Sequence, residues 1–547
     1  GSSTGFLSFV NRRAVSTSLM PEAWWFAAAA AATGLIAGMA PTLSTFRYSI
    51  VTFKQERGSG KRPLWNRVYL DVILIALAAF GYRDLSLQSR AIESDGLLSG
   101  DPVFFLVPFV AMFGVGLFCL RVFPAAAGLV HLISNRFRGV VVQLTARELH
   151  RNARHYAPLI LLIILTVAVG IYSASTARTL GENFEDQIYY RVGADIAVEE
   201  LWSPPPTDGG IAAPTRPASE PPFLSRLEFP GVRSAARVLR ERVNVTAAGR
   251  NLGRGELMAV IPREFAETAW FRRDLAPSHF YDYLSLLNRH PGGAIVSEPA
   301  AAAVDLELGD PVSFSYADQT IEVYVVAVIP YWPTMNPQED PFIIANLAYV
   351  QSFVRIEPYQ VWYEVTDEAS VQDIVDGSLS LGVYVQDYYD ARTQLRTLRR
   401  EPYRMGFFGM LSMGFIVSGL VTTLGIFAYS LFSMRNRRIQ FGSLRALGLS
   451  TSQLFSIIGL EHLAGFAFGL AGGVGVGLGA VRLFLPFLRD RAQELQSVPP
   501  FRIVVESADL TRLLVVVGVV FAATVVALVA ILRRIRLGEA IRLGEEG

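Results

Sequence analysis

Cysteine is almost missing from this 547-residue chain, which has only Cys119. One thiol excludes an intrachain disulfide framework and any cysteine-based metal site. Lysine is nearly as scarce: Lys54 and Lys61 are the only ones, and arginine carries the remaining positive charge. The charge balance is close to even, with a net charge of +1, so bulk charge gives no reason to expect a nucleic-acid partner. No G-x-x-x-x-G-K-[ST] phosphate loop occurs. Gly58-Ser-Gly-Lys61 lacks the leading glycine spacing and reads as a solvated loop. Any ATP that drives this protein is therefore expected on another chain. Histidine is sparse too. His131, His150, His155, His279 and His290 lack ligand spacing, and Glu461-His462 lacks the second histidine of H-E-x-x-H. The sequence thus predicts no metal, no cofactor of its own and no catalytic set.

What the chain has instead is apolar length. It is 51% hydrophobic and only 18% charged, with a mean hydropathy of +0.35, values that belong to membrane proteins. A hydrocarbon core about 30 Å thick needs roughly 20 apolar helical residues. Seven runs qualify as spans: 24–43, 65–82, 103–120, 157–173, 405–432, 454–481 and 513–532. Asp71 near the start of the second is tolerable close to the interface. Arginines and the two lysines gather in the segments after spans one, three, five and seven, for example Arg435, Arg437, Arg438 and Arg445. All four basic clusters fall on the cytoplasmic side if the N-terminus is outside. Span one and its basic tail resemble span seven and its tail. This leads to the expectation that span one is the last helix of an upstream half, the alternative being two ordinary stop-transfer ends.

Residues 176–402 contain no spanning run. Pro204 to Gly210 and Pro214 to Pro222 mark a loop insertion. Beyond it the pattern is mixed α/β: a strand running into a turn is predicted over 293–299, further strands at 312–316, 320–329, 342–345 and 360–365, and a short helix at 300–304. Leu180, Phe184 and Ile188 recur every four residues after span four, and Leu395 and Leu398 precede span five. Both connections therefore read as helical legs of a stiff stalk, which would carry movement where a Gly/Ser linker would absorb it. The fold class is an α-helical membrane protein with seven transmembrane helices and a mixed α/β extracytoplasmic domain between helices four and five.

Two motifs stand out in the last third. Between spans five and six, Arg438, Phe441, Leu444, Arg445 and Leu447 mix basic and apolar side chains in a tight hairpin. Such a piece suits insertion into a partner's groove, or else contact with lipid headgroups. Gln143 to His155, arginine-rich before span four, reads as an elbow helix on the inner surface in contact with lipid. In span six, Gly465, Gly469, Gly473 and Gly477 repeat every four residues. They form a flat stripe for close helix packing, within the subunit or against a second membrane half. Glu461, an ionisable residue in a membrane helix, is expected to face a partner helix, a cavity or the interface in a packing or gating role.

Taken in order, these segments resemble the FtsX/MacB-type permease family of ABC transporters over about residues 140–547. The resemblance is carried by Ala294-Ile-Val-Ser-Glu-Pro, Leu306-Glu-Leu-Gly-Asp-Pro-Val, Arg438-Ile-Gln-Phe-Gly-Ser-Leu-Arg-Ala-Leu-Gly-Leu, Glu461 with its glycine-rich helix, and Arg536-Leu-Gly-Glu-Ala-Ile-Arg. It implies a multi-pass protein of the bacterial cytoplasmic membrane, non-enzymatic itself, whose segment 438–449 is the coupling helix docking on a cytoplasmic ABC-type ATPase. It implies export or extraction of lipids, lipoproteins or peptides. The alternative is force transmission to an extracellular cell-wall hydrolase or sensor without transport. A second permease half, membrane lipid and an extracytoplasmic cargo or accessory protein are the other expected partners. The expected division is 1–46 (last helix of the upstream repeat), 47–155 (two-helix connector and elbow), 156–191 (helix four and stalk), 192–395 (α/β domain) and 396–547 (three-helix membrane domain).

Overall fold

A computed structural model of the chain describes residues 25, 28, 32, 64–88, 102–134, 136, 139–151, 153–202, 220–400, 402–436, 448–494 and 497–534. The first part is helical: α1 (Leu70–Gln88), α2 (Pro102–Ser134), α3 (Val140–Arg151) and α4 (Ala157–Val192). A mixed domain follows, with β1 (Ile196–Leu201), β2 (Val232–Ala247), β3 (Arg250–Val260), α5 (Pro262–Thr268), α6 (Phe280–Arg289), β4 (Gly293–Ser297) and α7 (Glu298–Val304). It continues with β5 (Pro311–Tyr316), β6 (Gln319–Ile329), β7 (Phe342–Asn346), β8 (Gln360–Val365), α8 (Val371–Ser380) and β9 (Tyr384–Asp390). The chain returns to the helical part through α9 (Ala391–Arg400), α10 (Pro402–Asn436), α11 (Thr451–Glu494) and α12 (Ser507–Arg534).

Five helices are long and apolar enough to cross a membrane, over Leu106–Ser134, Ala157–Val192, Gly406–Tyr429, Ser452–Asp490 and Ser507–Ala527. The first expected span, 24–43, lies almost wholly outside the described residues. The second does form α1, but Asp71, Arg83 and Asp84 crowd its 19 residues with charge, and it is not one of the five. Five spans, not seven, are therefore the count among the described residues. The third span is longer than expected. The sequence reading ended it at residue 120, before Arg121, yet the helix runs to Ser134. Arg121 is neutralised inside the bundle: its Nη2 donates to Oδ1 of the buried Asp71 at 2.7 Å. A paired charge costs a membrane helix far less than a bare one.

Contacts along α4 fix the helix directions. A Cβ on Gly425 would touch Leu162, Thr422 bonds Thr166, and Phe415 lies against Gly170, so α10 runs antiparallel to α4. Gly465 faces Leu159 and Gly477 faces Ile171, so α11 runs parallel to it. Leu513 meets Gly170 while Asp509 meets Arg178 farther along, so α12 is antiparallel again. The domain hangs from the C-terminal end of α4. Asn436 and Gly448, which flank the α10–α11 connection, sit at the opposite end.

The domain's strands run β3-β7-β4-β6-β5-β2-β8-β1-β9, and β2 pairs with β3 as well. That extra pairing closes six strands into a ring, from which β8, β1 and β9 extend. The pairs β3–β7 and β4–β6 are parallel and the rest antiparallel. The long β2–β3 hairpin turns on Ala248 and Gly249, both at positive φ, the backbone that two-residue hairpins demand. One face of the sheet buries side chains such as Phe314, Val323, Ile343 and Tyr363. The opposite face packs Trp332, Phe265, Phe280 and Trp362 together.

That second cluster also holds Ile188 and Val192 of α4 and Leu395 of α9. The lower residues of α4, from Leu159 to Leu180, belong to the membrane core. One helix is thus rooted in two hydrophobic cores. Its 36 residues give a rod of about 54 Å. About 24 Å of that exceeds the hydrocarbon thickness. The rod stops at Gly193, whose φ of 88° supplies the left-handed cap. A Cβ there would also collide with the Trp362 indole.

Candidate functional site

The residues expected to dock a partner, Arg438, Phe441, Leu444, Arg445 and Leu447, lie outside the described residues. The start of the following helix is described. Ser450 Oγ accepts from the Gln453 N–H and Gln453 Oε1 accepts from the Ser450 N–H. This reciprocal capping box fixes where α11 begins.

The glycine stripe of α11 lies against α4. A Cβ added at Gly465 would stand 3.4 Å from Leu159, at Gly469 2.9 Å from Ile163, at Gly473 2.6 Å from Val167, and at Gly477 3.0 Å from Ile171. Four-residue steps on one helix therefore meet four-residue steps on the other. The absence of side chains brings the backbones together: carbonyls of Ile164 and Ala168 lie within 3.1 Å of the added Cβ positions. Gly475 and Gly479, on another face, meet nothing. Glu461 is buried and accepts a 2.6 Å hydrogen bond from the Tyr156 hydroxyl, at the N-cap of α4. The neighbouring His462 Nδ1 lies 2.9 Å from the Ile458 carbonyl. On the α10 side, Thr166 meets Ser418 and Thr422 in a small hydroxyl cluster.

Higher on α4 the contacts change from apolar to ionic. Arg178, nearly buried, reaches Asp509 of α12 at 2.5 Å, Glu506 at 2.6 Å and Glu182 at 2.9 Å. The segment between α11 and α12 then runs beside the stalk. Thr179 Oγ1 donates to the Val504 carbonyl and accepts from the Val504 N–H. Asn183 does the same with Arg502, Nδ2 donating to its carbonyl and Oδ1 accepting from its N–H. Gln187 Nε2 donates to Ser497 Oγ. Extended backbone is here satisfied by side chains of a helix, in place of a sheet.

The domain joins this seam through Arg272. Its Nη1 bonds Asp186 of α4 at 2.7 Å and its Nη2 donates to the Pro500 carbonyl at 2.6 Å. Nε is held by Asp274. Asp186 is shared with Arg502 at 3.3 Å. A single nearly buried guanidinium thus ties domain, stalk and the α11–α12 segment together. Its planar fork makes that possible where a lysine would offer one point charge. The second leg, α9, adds a half-exposed pair, Arg399 to Glu185 at 3.2 Å, worth little by itself.

Residues 160–377 match the MacB-like periplasmic core domain and residues 412–538 match the FtsX-like permease C-terminal domain. The chain belongs to the FtsX/MacB-type permeases. As a member of that family it is a transmembrane permease of ABC-transporter type with an extracytoplasmic domain, and the family's ATPase is a separate subunit. Solved structures similar to it include the periplasmic region of MacB from Actinobacillus actinomycetemcomitans, 10% identical, covering 38% of this chain and 94% of that one at a TM-score of 0.26. Another is the extracellular domain of the ABC-type transporter YknZ from Gram-positive bacteria, 11% identical, covering 35% and 100% at a TM-score of 0.26. No curated protein matches the chain.

The clasp bridges the two matched segments of this permease, with Arg178, Asp186 and Arg272 in the first and Arg502, Glu506 and Asp509 in the second. Sequence reasoning missed all six. Arg178 carried the one available signal, a charge within a helical run just past an apolar stretch. Its partner Asp509 lies 331 residues away, beyond the reach of periodicity.

Proposed function

We propose that this chain is the permease subunit of an ABC transporter in the bacterial cytoplasmic membrane. It transmits the stroke of a cytoplasmic ATPase to its extracytoplasmic domain, for export or extraction of lipids, lipoproteins or peptides. The observation that carries this reading is the single helix α4, packed in the membrane core below and in the domain core above. A rod rooted at both ends conveys displacement, and the Arg272–Asp186 clasp makes the α11–α12 segment move with it. Arg438, Phe441, Leu444, Arg445 and Leu447 dock the ATPase, which binds the ATP. Glu461 and the α11 glycines set how α11 rides on α4. A second permease half completes the membrane unit, and the domain engages cargo or an accessory protein.

The test is co-purification with a co-expressed ABC-type ATPase. Leu444→Asp and Arg445→Glu are each expected to weaken the complex at least tenfold while the chain remains in the membrane. An ATPase that binds both variants as tightly as the parent would refute the docking assignment. Cargo flux measured in the same preparation separates transport from force transmission alone, since the latter gives ATP turnover without flux.

A further inference from the structure

An open cleft of about 660 Å³ lies where the stalk enters the domain, within the size range of small-molecule sites. Its walls come from three parts of the molecule: the stalk helix α4, the domain (the turn after α4, α5 and the loop that follows it, Tyr281 of α6 and Glu364 of β8), and Arg502 of the α11–α12 segment. One side is aromatic. Trp270 stacks on Tyr189 with ring centres 6.2 Å apart and an 18° interplanar angle, stands edge-on to Tyr190, and shares the lining with Tyr281. The Trp270 backbone is tied to the stalk's cap, its main-chain N–H donating to the Gly193 carbonyl.

The charge of the remaining lining selects a sign. Glu182, Glu185, Asp186, Asp195, Glu267 and Glu364 face the cleft, against Arg502 as the one lining cation among the described residues. Glu182, Glu185 and Asp186 are partly balanced by arginines. Asp195 is held by neutral donors, the Tyr189 hydroxyl at 3.4 Å and the Val365 N–H at 3.0 Å. Glu364 has a long 3.6 Å contact with an exposed Arg233.

We infer that this cleft binds a small organic cation with a flat apolar body, of a few hundred daltons. The tryptophan–tyrosine shelf takes the flat body, and the cation is drawn by the aromatic faces and the carboxylates together. Because the walls belong to stalk, domain and connector, an occupant also bridges the pieces that the clasp joins. The site itself does not need the proposed ATPase coupling, and its test uses no nucleotide.

The full chain in neutral phosphatidylcholine nanodiscs is titrated with propidium, an aromatic dication, and with fluorescein, an aromatic anion, by fluorescence polarisation. Saturable propidium binding is expected, falling with added salt, with fluorescein at least tenfold weaker. Trp270→Ala is expected to reduce propidium affinity at least fivefold, and Trp270→Phe to restore most of it. Glu185→Gln with Glu364→Gln, both partly exposed and so tolerable to the fold, is expected to cost at least fivefold. Non-saturable uptake, equal binding of the two dyes, or affinity unchanged in both the tryptophan and the double carboxylate variants would overturn the assignment.

Discussion

The two halves of α4 are held in opposite ways. Below, its Ile163, Val167 and Ile171 side chains seat directly on a glycine stripe that offers no side chain of its own. Above, it is gripped by Arg178, Asn183 and Asp186 and sealed into an aromatic core. A smooth seam of small residues resists shear only through close contact. An ionic seam in partly buried surroundings holds one register, because each charge left behind would be costly. The permease therefore has a close-packed, largely apolar lower contact and an ionic upper one, on the same rod.

The largest expected effect breaks the upper contact. Arg272→Ala leaves Asp186 short of its main partner and frees the Pro500 carbonyl, and losing one member of a largely buried pair typically costs about 3–5 kcal/mol. Thermal unfolding of the purified chain should show a Tm lowered by several degrees. ATP turnover with the partner should persist while extracytoplasmic work is lost.

Which of these parts could be read from the sequence follows from physical range. Spans four to seven were legible because each needs only its own apolar length. The strand at 360–365 and those near it were legible because buried alternation is local. Helix α2 was cut short at Arg121, since a sequence does not reveal that Asp71 waits across the bundle. The β2–β3 hairpin was missed for a related reason. Its first strand carries Arg237, Arg240 and Arg242 at partly or fully exposed positions, and its turn is Ala-Gly, where Asn-Gly or Asp-Gly would have been a clear signal. The glycine stripe could be recognised but not its partner, and the clasp could not be seen at all.

A smaller effect sharpens the lower contact. Gly473→Leu forces a side chain into a space where even a Cβ would stand 2.6 Å from Val167 and 3.0 Å from the Ile164 carbonyl. Overpacking of this kind costs about 1–3 kcal/mol. Gly475→Leu, whose Cβ meets nothing, should leave the Tm of the detergent-purified chain unchanged. Equal losses in the two variants would mean that the stripe is not the contact described.

The smallest effect lies outside both contacts and serves as a control. Burial beside Glu357 and Glu199 pushes the Glu241 carboxyl above its ordinary value. A raised carboxyl favours the folded state when protonated, and that contribution is lost as pH rises through the folded-state value. Glu241→Gln, which mimics the neutral form, should raise the Tm slightly at pH 7. The gain should vanish below about pH 4, where the parent is protonated in both states. Coupling to the ATPase should be untouched.

The central claim is that α4 moves as one unbroken rod. Spin labels at Ala157 and Arg191, in a Cys119→Ser background, sit at its two ends, about 50 Å apart at 1.5 Å per residue. Pulsed electron-spin distance measurement on the ATPase complex should give one narrow peak near that value, both without nucleotide and with ATP trapped. A second peak, or a shortening by a helical turn of about 5 Å in either state, would show a hinge within the helix and contradict the account.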